Sequence, residues 1–209
     1  MNKRIILCAC LVIIVGLTTS CGQEKVESIS SIDIISDAKT DSYNSANQLT
    51  EAADLIVRVT KKDDKNILTN SAIGQLVDGH TESTVIVEKI YKNTTDEKIR
   101  VNDEINVCEI QYTYKDDETN KNITCHVNGY QKMIKDNEYI LYMNYSEGDK
   151  WFYPVAGVFG KMPLTKGENI IIDSNKIKTL NGISSLSMND EITTILQKIH
   201  EETLQLYFN

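Results

Sequence analysis

The chain has 209 residues, 22 Lys and Arg against 30 Asp and Glu, a formal charge of −8 and 41% apolar side chains. An acidic surface without a basic stripe is repelled by nucleic-acid phosphates and by anionic lipid headgroups, which argues against nucleic acid as a partner. With only two prolines and an ordinary apolar content, the length suits one domain with a proper core.

The chain opens with Lys3 and Arg4, followed by the apolar run IILCACLVIIVGL at residues 5–17. A membrane-spanning helix needs about 20 such residues, so this run has the length of a signal-peptide core. Thr18, Thr19 and Ser20 then lead straight into Cys21. That arrangement resembles a bacterial lipobox, in which the Cys thiol takes a diacylglycerol and becomes the new N-terminus after cleavage. Thr18 is the departure, standing where Leu is usual. The resemblance implies a cleaved leader at 1–20, lipidation of Cys21 and a place on the outer face of the cell membrane, anchored through that lipid. A buried N-terminal hairpin or a plain secretory signal is the alternative. Removal of the leader takes two cations and no acid, so the remaining 189 residues carry −10.

Residues 21–45 are Ser-rich and mixed in charge and read as a flexible tether, although Ile29, Ile32, Ile34 and Ile35 are more apolar than a linker needs. Ser45 and Gln48 have capping-box spacing and open a short helix to about Ala53. DLIVRVTK at 54–61 alternates and predicts a strand. Residues 63–81 look like a weakly patterned insertion, with turn residues at Gly74 and at Asp78-Gly79. TVIVEKIY at 84–91 is β-branched, and its apolar spacing slips between Val87 and Ile90, which predicts a bulge. Strand-like runs at 104–114 and 123–127 form an expected hairpin turning near Asp116 and Asp117. Further strands are expected at 138–145, 151–156 and 169–173. Short strands at this spacing predict a mainly β domain over 46–209, a small antiparallel barrel or sandwich. The chain closes with one amphipathic helix, capped at Ser187, with Ile192, Ile195, Leu196, Ile199 and Thr203 or Leu206 on its apolar stripe.

Cys8 and Cys10 belong to the leader, and Cys21 is the expected lipid attachment, which leaves Cys108 and Cys125 in the domain. The expected hairpin sets them nearly opposite. A disulfide there would stabilise by about 3 kcal/mol; two buried free thiols are the alternative.

AADLIVRVTK, VEKIYKN, VNDEINV, NGYQKMIKDNEYILYM and YPVAGVFGKMPL together resemble uncharacterised lipoproteins of low-GC Gram-positive bacteria. The resemblance covers residues 52–164 and implies an OB-like barrel. It supplies no catalytic residue, and Asn93 and Asn102 stand where glycine is expected.

Chemistry-bearing motifs are sparse. His200-Glu201 starts like H-E-x-x-H, but Leu204 takes the place of the second His. Ser36-Asp-Ala-Lys39 matches S-x-x-K without the other elements of penicillin-recognising enzymes. Asp116, Asp117 and Glu118 lack EF-hand spacing. No catalytic residue, metal site or cofactor is therefore expected. Ten of the 14 aromatics lie between Tyr112 and Phe159, and Tyr142, Trp151 and Tyr153 are the candidates for an outward-facing ligand patch. The expected function is a non-enzymatic binding module for an envelope peptide, protein or glycan. An accessory subunit of a membrane transporter is the second reading, and a hydrolase of envelope polymer the third.

Overall fold

The computed structural model describes residues 31–165, 168 and 190–208. Among the described residues, nine strands and two helices make a mainly β domain. They are β1 (Ser31–Ser36), α1 (Ala46–Ala52), β2 (Leu55–Asn70), β3 (Leu76–Asn93), β4 (Glu104–Glu109), β5 (Gln111–Asp116), β6 (Lys121–Val127), β7 (Glu138–Ser146), β8 (Trp151–Pro154), β9 (Lys161–Pro163) and α2 (Asp190–Phe208). A 3-10 turn, Gly157–Gly160, joins β8 to β9. Among the described residues no helix is long and apolar enough to cross a membrane.

Five strands close on themselves in the order β2-β3-β4-β8-β7, with β7 returning to β2. All neighbours are antiparallel except β4 and β8, which run parallel. This is the barrel expected from the strand pattern, with the strand order of a five-stranded Greek-key barrel. Side chains alternate across each strand, so Leu55, Val57, Val59, Val85, Val87, Val107, Tyr139, Leu141, Met143 and Phe152 fill the interior. The other face of β2 and β7 is covered as well. Ile56, Ile140 and Tyr142 pack under α1, α2 and the 3-10 turn, with Leu49, Phe159, Leu196 and Ile199. Burial on both faces explains why these two strands read as nearly continuous apolar runs.

Local signals account for the ends of the elements. Ser45 Oγ accepts the Gln48 N–H at 3.3 Å, and the Gln48 side chain accepts Asn44 N–H at 2.8 Å, which starts α1 where the capping spacing places it. Two bulges interrupt β3 in the predicted stretch. Ile56 pairs with Lys92 but Val57 with Ile90, and Arg58 pairs with Lys89 but Val59 with Val87. Each adds one residue to β3 and increases its coil around the barrel. On α2, Leu196, Ile199 and Thr203 are buried, as the helical stripe predicts, whereas Leu206 is exposed.

Three expectations need correction. Residues 63–81 are no insertion. They continue β2 and β3 into a long two-stranded arm that turns at residues 71–75. Its weak patterning follows from the exposure of most of its length, with burial only near its base at Gly79 and Thr81. Second, part of the expected tether is β1, which lies parallel to β6 with Ile32 buried, so the isoleucines there serve the fold. Third, the 104–114 run breaks at Ile110 into strands of different sheets. The hairpin is β5–β6, with Tyr112 opposite Cys125, while Cys108 on β4 sits opposite Glu82. Both thiols are free. The expected strand at 169–173, the Ser187 cap and the Cys21 leader junction lie outside the described residues.

Two glycines mark close approaches. A Cβ on Gly79 would sit 2.5 Å from the Tyr112 ring, where β5 crosses the arm. A Cβ on Gly160 would meet backbone atoms, Val155 N at 2.4 Å and Tyr142 O at 2.6 Å. Backbone cannot swing aside as a side chain can. Gly160→Ala is therefore expected to destabilise the domain by about 2–3 kcal/mol, read as a lower urea midpoint with an unchanged slope.

Candidate functional site

The barrel interior changes character at one mouth. Continuing the inward positions past Val59, Val85 and Val107 brings Lys61, Ser83 and Glu109 together, each with zero exposure. Lys61 Nζ lies 3.1 Å from Glu109 Oε1 and donates to Ser83 Oγ, and the Ser83 hydroxyl donates to the same carboxylate oxygen. The other oxygen, Glu109 Oε2, accepts Tyr130 O–H at 2.8 Å and Met133 N–H at 2.7 Å. Asp64 adds a carboxylate 3.4 Å from Lys61 and 2.9 Å from Lys132. Burial opposes ionisation of Asp64, but the hydrogen bond from Lys132 and the charges of both lysines outweigh it and hold its carboxyl below the usual range. A serine hydrogen-bonded to a lysine has the pairing of a hydrolytic dyad. Here no substrate atom can reach it, since both side chains are sealed inside the barrel. The cluster reads as a structural plug.

Lys161 is buried next to this plug with no carboxylate at ion-pair distance among the described residues. Its ammonium donates to Gln131 O and lies 4.4 Å from the centre of the Tyr130 ring and 5.9 Å from that of Tyr139. Burial pulls its pKa down to about 8, more than the charges of Glu109 and Glu168 restore. Desolvation also raises the Tyr130 and Tyr139 phenols, which donate to Glu109 and Glu168.

Solvent reaches a different place. An open groove of about 540 Å³ runs between the strap at residues 38–43, which leaves β1, and the outer edges of β7 and β8. Ile110, Val127, Pro154, Val155, Ala156 and Gly157 give it an apolar floor, and Tyr43, Tyr153, Lys39 and Asp41 its edges. Ala156 holds a left-handed backbone there, φ 47° and ψ 35°, a conformation costing a non-glycine residue about 1–2 kcal/mol. The two lining asparagines are already engaged. The Asn144 side chain accepts Asp54 N–H, and the Asn128 amide both accepts from Ala38 N–H and donates to Ala38 O. What remains to meet a ligand is tyrosine ring surface, hydroxyls and one charge of each sign. Tyr43 stands edge-on to Phe159, with ring centres 6.0 Å apart, and its phenol is raised by burial and by Asp41.

The three residues of the expected aromatic patch separate. Tyr153 is 40% exposed and lines the groove. Trp151 packs edge-on against His80 of the arm, at 4.7 Å between ring centres. Tyr142 is fully buried, and its hydroxyl is 2.9 Å from Thr203 Oγ1. It does face away from the barrel interior, as alternation requires, but α2 covers that face. Tyr43, Lys39 and Asp41 are groove residues that sequence reasoning missed, because they belong to a segment read as tether. Burial and four nearby carboxylates push the Cys108 thiol up to about 11, so it stays protonated at neutral pH. Among the described residues no group of three or more His, Cys, Asp and Glu is placed to share a metal ion.

No protein-family model matches the chain, and no curated protein matches it either.

Two outcomes test the plug. Glu109→Gln leaves Lys61 buried without its closest counter-charge and is expected to cost about 3–5 kcal/mol, measured by urea unfolding. For Lys161 the folded chain holds its proton less tightly than the unfolded chain. Below pH 8 the buried ammonium therefore costs about 3 kcal/mol, and this cost is relieved as pH rises from about 8 to the ordinary lysine value. Lys161→Met should be more stable than the parent at pH 7, and the gap should close by about pH 10.5.

Proposed function

We propose that the chain is a lipid-anchored extracytoplasmic protein whose barrel binds a ligand of the cell envelope without transforming it, and that the ligand is a cationic peptide. The open groove edged by Tyr43, Tyr153 and Asp41 carries this reading. Ring faces attract ammonium and guanidinium groups, and the Asp41 carboxylate on the same rim favours the same charge, set against the single cation Lys39. An apolar floor suits the aliphatic stems of Lys and Arg or a neighbouring apolar residue. The net charge of −8, or −10 without the leader, draws a cation toward the domain from a distance and speeds capture.

Anchoring rests on the leader and on Cys21. One acyl chain holds a protein only marginally, whereas two or three hold it stably. A diacylated Cys21 would thus keep the barrel at the membrane, where cationic peptides concentrate on anionic lipid. The buried Lys61–Glu109 pair lies in the plug and not in the groove, which favours binding over catalysis.

Two measurements address the two halves of the proposal. For the anchor, cells expressing Cys21→Ala are expected to lose palmitate labelling and to release the protein from the membrane fraction. Retention of both would overturn the lipoprotein reading. For the ligand, a Trp-labelled hexalysine peptide should bind the purified domain with an affinity falling about tenfold between 50 and 300 mM salt. Tyr153→Ala should weaken it about fivefold, as expected for a cation–ring contact of about 1 kcal/mol. Binding indifferent to salt would sink the cationic ligand. Capture of a transporter subunit from lipid-anchored protein in cells would favour the accessory role.

A further inference from the structure

The β2–β3 arm ends in a tip of unusual composition. The pairing of β2 with β7 stops at Thr60, and that of β3 with β4 starts at Thr81, so beyond these points the two strands ladder only with each other among the described residues. An element projecting into water is normally kept soluble by charge. Yet residues 66–77, from Asn66 to Val77, hold no charged side chain, in a chain where one residue in four is charged. Outside residues 5–23 no charge-free run is longer. The tip also carries the two most exposed large apolar side chains among the described residues, Ile73 at 80% and Val77 at 62%, with Leu68 exposed beside them.

The chain enters the fold beside this arm. β5 crosses the arm at Asn66, whose side-chain amide donates to Thr113 O at 2.8 Å and accepts Thr113 N–H at 2.7 Å. Across the small sheet, Thr113 lies opposite Thr124, and Thr124 opposite Asp33. Asp33 is thus two strand spacings, roughly 10 Å, from the point where the arm is crossed. Ser31, the first residue of β1, follows two residues further along. The ten residues 21–30 precede it, and even fully extended they span at most about 35 Å. A lipid on Cys21 therefore holds this end of the molecule within that distance of a bilayer. The turn at residues 71–75 lies five or more residues past Asn66, roughly 17 Å further out along the arm.

We propose that the arm tip is a membrane-contact wedge, with Ile73, Val77 and Leu68 seated at the boundary between lipid headgroups and acyl chains. The wedge rests on the lipid-anchored reading of the chain, and it names a second contact with the same bilayer. Charge favours this occupant. An acidic domain is repelled by anionic headgroups, whereas a charge-free tip on a projecting arm reaches them without bringing the acidic barrel close. Lys65 and Asp78 mark where charge resumes and so set how deep the tip goes.

The turn is built for the same surroundings. Backbone groups carried toward lipid need partners within the protein. Ser71 N–H donates to Gln75 O at 2.7 Å, Gly74 N–H to Ser71 O at 2.9 Å, and Gln75 N–H to Ser71 Oγ at 3.1 Å. A second point of contact adds to the hold of the acyl chains. It also fixes which way the barrel faces, which a lipid on a single residue does not. The wedge needs no ligand in the groove, so its test is independent of what the groove binds.

The test is tryptophan fluorescence of the full chain, purified from cells and reconstituted on vesicles of phosphatidylcholine and phosphatidylglycerol brominated on their acyl chains. The parent, whose one Trp is Trp151, gives the baseline. Ile73→Trp puts a probe on the tip. Val101→Trp puts one at a half-exposed apolar position at the other end of β3, where Asn102 N–H donates to Val87 O. The tip probe is expected to shift to the blue and to be quenched at least about threefold more than the Val101→Trp probe, as for a side chain at the acyl boundary. Adding Val77→Asp should reverse the shift. Equal quenching of the two probes on vesicle-bound protein would overturn the wedge and leave the anchor standing. Protein absent from the vesicle fraction would remove the anchor and the wedge together. A photocrosslinker at residue 73 that captures a protein in cells, and no lipid, would overturn the wedge as well.

Discussion

The carboxylate of Glu109 gathers four donors from three parts of the chain. Its two oxygens receive Lys61 of β2, Ser83 of β3, the Tyr130 phenol and the Met133 amide, so two barrel strands and the crossover to β7 converge on a single acid of β4. Burying a charged pair is costly unless its remaining lone pairs and protons are satisfied, and here four donors share the two oxygens. The arrangement also specifies register. A one-residue slip of β2 or β3 would turn Lys61 or Ser83 to the outside and strand Glu109 in the barrel. Apolar contacts close the barrel over most of its length. At this mouth, the polar contacts decide which residues meet.

The plug and the groove divide the work of the molecule. Lys61, Ser83 and Glu109 are out of solvent's reach, and the groove that solvent reaches carries rings, hydroxyls and few charges. The groove also joins two different parts of the fold. β7 and β8 belong to the closed ring, whereas the strap is an extension of an edge strand held by polar contacts. One wall of the groove thus belongs to the closed barrel and the other to an edge strand outside it.

Much of this architecture was legible in the sequence. The β-branched runs, the slipped spacing at Val87 and Ile90, the Ser45 cap and the stripe on α2 each reported a local cause that the tertiary structure kept. What escaped was set by distant partners. Nothing local in INVCEIQYTY says that Ile110 is where the chain leaves one sheet for another, so Cys108 and Cys125 could not be separated by pattern. Nothing in EYILYMNY says that the outward face of β7 would be roofed, because the roof, α2, lies some 60 residues later. The buried Lys61 and Glu109 break the apolar alternation at the C-terminal ends of two separate runs, and only the folding of both strands against β3 makes them neighbours. The strap was lost because a short edge strand leaves a weak apolar signature, and Ile32 and its neighbours were the hint available.

The ring closes where β2 meets β7, a pairing in which Arg58 and Glu138 are 80 residues apart, and the outer layer spans further, with Ala46 N–H donating to Glu202 at a separation of 156. Contacts of such long range slow folding, since the chain must give up much freedom before they form. The β2–β3 hairpin can assemble early from local pairing. The layer beneath α1 and α2 cannot, because its two sides come from opposite ends of the chain. A chain that emerges N-terminus first must therefore hold Ile56, Ile140 and Tyr142 without their α2 cover until α2 arrives. That interval, more than the finished fold, is when this protein is most exposed to aggregation and to proteases.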